Sequence, residues 1–256
     1  MTHLFNHIFK VPERCLVGQR LTKAFFQRNF SLTSAEKKVL NTAIEQMEIL
    51  AQVNLEKSNI QAVSNETDSY ENILYIRCTV QDNQLETVAD KCIQIIQKYI
   101  AHQVVLILED SNDFIINVAE KRINQVDKNK LVVNSIFNTT SISKLYKNDT
   151  TEAFFKALDF NGLDKTNLET TYKSYIQAVV QFQVAHTTGT FSKRTQKRTQ
   201  EDMANLETIE AMETEITSLK SQLSKEKQLN NKVVLNVAIH KKRQEIERIK
   251  NKLTII

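Results

Sequence analysis

Acidic residues stand where metal-dependent chemistry would need them, at the ends of two predicted strands. Glu109, Asp110 and Asp113 surround a predicted hairpin turn, and Glu120 and Lys121 end the strand that follows it. Carboxylates at neighbouring strand ends can hold the divalent ion of a nuclease. This pattern raises the hypothesis of metal-dependent cleavage of nucleic acid.

Strand geometry argues against a shared ion. A strand rises roughly 3.3 Å per residue, so Glu120 would lie about 23 Å from the turn that contains Asp113. The second strand also lacks the usual spacing, in which a single residue separates an acidic residue from a lysine. The alternative is that these carboxylates are solvated turn residues. We therefore expect no metal site and no catalytic residue here.

Other cofactor chemistry finds no support in the residue pattern. Three scattered glycines cannot form a phosphate-binding loop. The five histidines do not stand at ligand spacing from a cysteine or a carboxylate. Cys15, Cys78 and Cys92 form no CxxC pair, so we expect buried free thiols in a reducing cytoplasm. These patterns predict a cytoplasmic protein without a cofactor and without a membrane segment.

Two groups of basic residues in the last third of the chain suggest contact with nucleic-acid phosphates. Their members are Lys193, Arg194, Lys197 and Arg198, and then Lys241, Lys242 and Arg243. Such side chains give salt-dependent affinity that does not depend on base sequence. No aromatic residues interleave with them to stack on bases, and the formal net charge is only +4. The alternative is a solvated linker followed by the polar face of a helix.

The C-terminal stretch has apolar residues at heptad spacing, which is typical of a coiled coil. This seam consists of Ile209, Met212, Ile216, Leu219 and Leu223. The pattern breaks at 229–231 and resumes with Val233 and Val237. Periodicity leaves open one long helix with a shifted seam or a hairpin of two helices that turns at Asn230 and Asn231, and we favour the long helix. The seam predicts a protein partner or a second copy of the chain. The alternative is that the helix folds back on its own chain.

Residues 71–140 predict the core of the fold as strand, helix, strand, strand and strand. Apolar residues alternate over 73–80, recur at helical spacing from Leu85, and run without interruption over 104–108, which predicts a central strand. Residues 114–119 and 131–137 predict two further strands. The fold class is α+β, with a mixed sheet flanked by helices and a C-terminal long helix or coiled-coil arm.

The remaining elements complete a three-part organisation. Residues 1–18 predict an irregular entry, and a capping box at Thr33 and Glu36 begins a helix expected to end near Gln52. Residues 152–158 and 167–186 predict helices. We place an α+β domain at 1–190, a basic linker at 191–200 and a helical arm at 201–256.

Nearly the whole chain resembles the bacterial and archaeal family named domain of unknown function 4391. The likeness rests on residues 17–23, the helix at 34–50, the strand-helix-hairpin block, and residues 219–236. The resemblance implies an accessory subunit of a DNA-processing system that defends against phage, encoded beside helicases, DNA methyltransferases and restriction subunits. It implies no catalytic residues.

Taken together, these observations predict a non-enzymatic adaptor that assembles through its C-terminal helix. Its expected partner is a helicase, a methyltransferase or a second copy. The alternative is a nucleic-acid-binding or metal-dependent nuclease component of the same kind of system.

Overall fold

The computed structural model describes residues 2–128, 130–146, 148–192 and 194–254. The chain forms two compact units, Met1–Gln183 and Val184–Ile256. The predicted division at residue 190 falls within the second unit, and the predicted basic linker at 191–200 overlaps the start of a helix at Gln196.

The elements follow one another in chain order. The first are α1 (Thr2–Phe9), a 3-10 turn (Glu13–Cys15), β1 (Leu16–Arg20), α2 (Lys23–Asn29), α3 (Ser34–Thr42), β2 (Ile44–Val53), α4 (Leu55–Ser58), β3 (Val63–Ser64) and β4 (Ser69–Tyr70). Next are β5 (Ile73–Val80), α5 (Leu85–Tyr99), β6 (Gln103–Glu109), β7 (Asp113–Ile123), β8 (Leu131–Asn138) and β9 (Ile142–Ser143). The last are α6 (Asp149–Leu158), a 3-10 turn (Phe160–Gly162), α7 (Leu168–Thr188), α8 (Gln196–Lys225) and α9 (Leu229–Thr254).

A mixed sheet organises the first unit, as predicted. Its strand order is β1-β2-β5-β6-β7-β8, and β9 pairs with the start of β7. β5 and β6 run parallel because α5 connects them, whereas the other neighbours run antiparallel. All seven residues of β6 are buried, which confirms a strand covered on both faces. The α+β class is therefore confirmed.

Each face of the sheet has its own core. Alternate residues of β5, such as Leu74 and Ile76, pack with the apolar stripe of α5 and with α2 and α3. On the other face, Tyr75 lies edge-on to Phe9 with ring centroids 5.5 Å apart, and the Tyr75 hydroxyl donates a hydrogen bond to Tyr175 in α7 at 2.8 Å. The period of two along β5 therefore sends successive residues into different cores.

The N-terminal third departs from the sequence expectation. Residues 1–18 contain α1 and the start of β1 rather than an irregular segment. The helix predicted to reach Gln52 ends at Thr42, although its Thr33–Glu36 capping box is present. β2 then pairs with β1 and β5. Two irregularities in the β2–β5 register, between Ile44 and Gln46 and between Ile49 and Ala51, disrupt the alternation of a strand and leave an apolar spacing that resembles a helix.

A tyrosine hydroxyl takes the place of backbone pairing where β6 and β7 separate. The ladder includes Leu106 opposite Asn117, and the same register would place Val104 opposite Ala119. At that position the Tyr172 hydroxyl accepts from the Ala119 N–H at 3.1 Å and lies within hydrogen-bonding distance of the Val104 and Ala119 carbonyls, at 3.1 and 2.9 Å. Tyr172 is fully buried, so it satisfies backbone groups that water cannot reach.

Lys121 extends from β7 into the protein interior at the same end of the sheet. Its ammonium group donates hydrogen bonds to the carbonyls of Ile100, at 3.0 Å, and His102, at 2.7 Å. Burial lowers the pKa of Lys121 to about 7. Lys121, which was considered above for a metal site, therefore binds the carbonyl oxygens of two residues that come just after α5 in the chain.

Replacing Lys121 with methionine is expected to remove a pH dependence of stability. The pKa is about 7 in the fold against an ordinary 10.5, so the unfolded chain binds more protons between these values. Stability from this group is fully present above the unfolded pKa and is lost as the pH falls towards 7. Between pH 7 and 9, the free energy of unfolding of the wild type should rise relative to Lys121→Met by at most about 1.4 kcal/mol per pH unit.

Denaturant titrations at several pH values provide the measurement, with Lys128→Met as the control because Lys128 is exposed in the next turn. Equal pH dependence in the wild type and Lys121→Met would contradict the assignment.

Candidate protein-interaction surface

Two of the acidic residues considered for metal binding, Glu109 and Asp110, have other partners. The Glu109 carboxylate pairs with Lys144 at 2.9 Å and lies 3.9 Å from Arg77 Nε. Asp110 Oδ1 accepts the backbone N–H groups of Asn112 and Asp113, both at 2.9 Å, and so shapes the turn. Among the described residues, no group of three or more His, Cys, Asp or Glu side chains is arranged to hold a metal ion.

The three cysteines are free and buried. Burial raises the pKa of Cys92 to about 12 and raises that of Cys78 well above its ordinary value. Thiols with raised pKa values are poor nucleophiles, because the thiolate is the reactive form. Cys78 of β5 and Cys92 of α5 therefore serve as core residues in the cluster that joins the strand to the helix.

The C-terminal region is a hairpin of two helices, so the expectation of one long helix is wrong. α8 ends at Lys225 and α9 begins at Leu229. In the turn, the Glu226 carboxylate accepts the backbone N–H groups of Lys227, at 2.7 Å, and Gln228, at 2.8 Å. These bonds lower the pKa of Glu226 and hold the chain in a non-helical path.

The predicted seam lies between the two helices of this hairpin. Ile209 and Ile216 of α8 are buried in a cluster with Ile239, Ile246 and Ile249 of α9. Met212, Leu219 and Leu223 are partly buried against the same cluster. The heptad pattern thus serves packing within the chain, and its use by a second chain stays a prediction.

Two arginines from the predicted phosphate-binding group close the open end of the hairpin. The Arg194 guanidinium donates to the Leu253 carbonyl at 2.6 Å and to Asp202 at 2.9 Å. Arg198 donates to the Lys252 carbonyl at 2.6 Å, and its Nε lies 3.2 Å from Asp202 Oδ1. We call this set the clasp. It binds carbonyls of the last turn of α9, where a helix presents unpaired acceptors and partial negative charge.

The Arg194–Asp202 pair of the clasp is almost inaccessible to solvent. The Arg194 and Asp202 side chains are 3% and 1% exposed. Burial raises the pKa of the Asp202 carboxyl, although Arg194 and Arg198 oppose this effect. The attraction within the ion pair therefore mainly offsets the free-energy cost of removing both charges from water. Loss of one partner would leave the other charge buried.

The other predicted phosphate contacts have different surroundings. Lys197, Lys241 and Arg243 are exposed. Lys242 pairs with Glu215 across the hairpin. Lys193 lies outside the described residues. Within the two predicted groups, the structure brings Arg194 and Arg198 together at the clasp.

An apolar stripe lies on α9 on the side that faces away from α8. Leu229 is 75% exposed, Val233 55% and Val237 48%. At about 100° per residue, these three side chains fall within about 80° of one another, and Val237 is about 180° from the buried Ile246. Val234, 68% exposed, extends the stripe on one side. We call these four residues the outer face of α9.

The family is decided by a match that spans most of the chain. The family model described as a domain of unknown function, DUF4391, matches residues 9–246. The chain belongs to the DUF4391 family. No curated protein and no solved structure matches the DUF4391 chain. None of its described helices has the length and apolar character needed to cross a membrane.

Residue spacing is an ambiguous signal for the outer face of this DUF4391 chain. Val233 and Val237 are spaced by four, which fits a buried seam as well as an exposed stripe. Val233 and Val237 differ from the seam residues in their angular position around α9, which is far from that of the buried Ile239 and Ile246. Position on the helix, rather than residue type, therefore distinguishes the surface from the core.

Proposed function

We propose that this DUF4391 chain is a non-enzymatic accessory subunit that binds a protein partner through the outer face of α9. The observation that carries the proposal is the group of four exposed aliphatic side chains, Leu229, Val233, Val234 and Val237. Aliphatic residues grouped on one side of an exposed helix are typical of a helix that packs against another protein.

The hairpin is well suited to present such a face. The clasp fixes one end of α9 and the Ile cluster fixes its inner side, so α9 is ordered before a partner arrives. A surface that is already ordered avoids much of the entropic cost of binding. This supports an adaptor role more strongly than a disordered tail would.

The proposed setting is a restriction-type DNA-processing system of the cytoplasm that acts against phage, with a helicase or a DNA methyltransferase as the partner. Its support is the family resemblance, together with an absence of nucleotide-binding loops from the sequence, which leaves nucleotide-driven chemistry to another subunit.

Direct contact with nucleic acid is the second candidate. Lys197, Lys241 and Arg243 are exposed, and no acidic residue occurs between Leu229 and Gln244. Phosphates would be bound without regard to sequence, and the affinity would fall steeply as salt rises. This candidate does not explain the aliphatic outer face, so we rank it below the adaptor.

Affinity capture of the tagged full chain from its own cells tests the adaptor role. A helicase or methyltransferase should copurify with the wild type, and the purified pair should bind directly. The double variant Val233→Glu/Val237→Glu should weaken that binding at least about a hundredfold, because two carboxylates would enter an apolar contact. Val126→Glu is the matched control, since Val126 is 97% exposed in the turn between β7 and β8.

Equal binding by the double variant and Val126→Glu would contradict the assigned surface. DNA cleavage by the purified chain that requires a divalent ion would contradict the non-enzymatic role.

A further inference from the structure

Charge is divided unequally between the two helices of the hairpin. α8 contains four basic and six acidic residues, whereas α9 contains seven basic and two acidic residues. The first sixteen residues of α9 contain four basic residues and no acidic one. The outer face of α9 therefore lies on the basic member of the pair.

Basic residues lie next to the outer face. Measured from Val233 at about 100° per residue, the outer face runs from Leu229 at about −40° to Val234 at about +100°. Arg243, at about −80°, borders it on one side, and Lys241, at about +80°, follows it one turn beyond Val237; both side chains are exposed. An apolar strip that positive charges border and follow is the complement of an apolar strip with negative charges beside it.

From this pattern we infer that the partner presents an amphipathic helix whose apolar stripe is flanked by aspartate or glutamate residues. The inference rests on the proposed function, because it names the chemistry of the partner that the outer face of α9 would bind. Apolar contact supplies the affinity, and the flanking charges select the partner and its orientation.

A second copy of the chain fits this surface poorly. A parallel symmetric contact between two α9 helices would bring Lys241 and Arg243 towards their own counterparts, and like charges at a contact are unfavourable. An antiparallel contact over the outer face would offer them no acidic residue, because 229–244 contains none. An anionic lipid surface also fits poorly. α9 contains no aromatic residue to anchor it at a lipid interface, and α8 carries an acidic excess.

Selection from a displayed library of helical peptides tests the inference. The library keeps leucines at i, i+3, i+4 and i+7 and draws each flanking position from Glu, Gln and Lys, with the tagged full chain as the bait. The wild type should enrich Glu at the flanking positions. A selected peptide should bind at least tenfold more weakly to Val233→Glu/Val237→Glu than to the Val126→Glu control.

Charge reversal on the bait provides the sharper readout. Lys241→Glu/Arg243→Glu should enrich Lys in place of Glu, because the helix and its apolar stripe are unchanged. Lys128→Glu/Lys130→Glu is the matched control, with two exposed lysines reversed in the turn after β7, and it should still enrich Glu.

Several outcomes would overturn the inference. These are flanking positions without a charge bias, the same selected residues for both baits, or tighter binding to phosphatidylglycerol vesicles or to duplex DNA than to the selected peptide. Failure of the proposed function is a separate result. In that case the library would still yield acidic helices, while capture from cells would yield no DNA-processing enzyme.

Discussion

Replacing Asp202 with alanine is expected to lower the free energy of opening of the helical hairpin by about 3–5 kcal/mol, the usual cost of removing one partner of a buried ion pair. The change would leave the Arg194 guanidinium buried without its carboxylate and would also remove the ion pair with Arg198. Hydrogen exchange of α8 and α9 measures this opening directly, and it avoids assuming that the two compact units unfold together.

Glu201→Ala is the matched control for this prediction. Glu201 is next to Asp202 in α8 and also pairs with Arg198, at 3.3 Å, but its side chain is 50% exposed. An exposed pair contributes about 1 kcal/mol or less. Similar exchange rates in the two variants would show that the clasp does not hold the hairpin closed.

Replacing Tyr172 with phenylalanine is expected to lower the free energy of unfolding of the first unit by about 2–6 kcal/mol, because two buried backbone groups lose a partner and each such loss costs about 1–3 kcal/mol. The change removes a single oxygen atom, so packing is almost unaltered. It leaves the Ala119 N–H and the Val104 carbonyl without the hydroxyl that joins β6 to β7. Denaturant unfolding followed by circular dichroism gives the value.

Tyr175→Phe separates the effect of this bridge from the general cost of removing a buried hydroxyl. Tyr175 is as fully buried as Tyr172, but its hydroxyl accepts from another side chain, Tyr75, rather than from the backbone. We expect a smaller loss, about 1 kcal/mol. A loss equal to that of Tyr172→Phe would indicate that β6 and β7 do not depend on the bridge.

The central block of the fold could be predicted because its patterns have one interpretation. An uninterrupted run of five aliphatic residues at 104–108 fits a strand covered on both faces, and the stripe from Leu85 fits one face of a helix. β2 could not be predicted in the same way. Its irregular pairing with β5 disrupts the alternation of apolar and polar residues. The segment forms a strand because it pairs with β1 and β5, which its own residue pattern does not reveal.

The candidate surface shows the same limit. Heptad spacing identified Ile209 and Ile216 as core-forming residues, but spacing does not say which chain supplies the opposite helix. The turn at 226–228 has no glycine or proline to mark it and depends on the Glu226 carboxylate. Arg194 has the residue type of a phosphate contact, and only the folded hairpin shows that the last turn of α9 engages it.

The clasp and the outer face of α9 lie at opposite ends of one helix. Leu229 and Leu253 are separated by about 36 Å, at 1.5 Å per residue. Changes at the tip are therefore remote from the ion pair that closes the hairpin, and distant sites affect stability independently. A substitution in the outer face can therefore change the surface of the tip without loosening the other end of the hairpin.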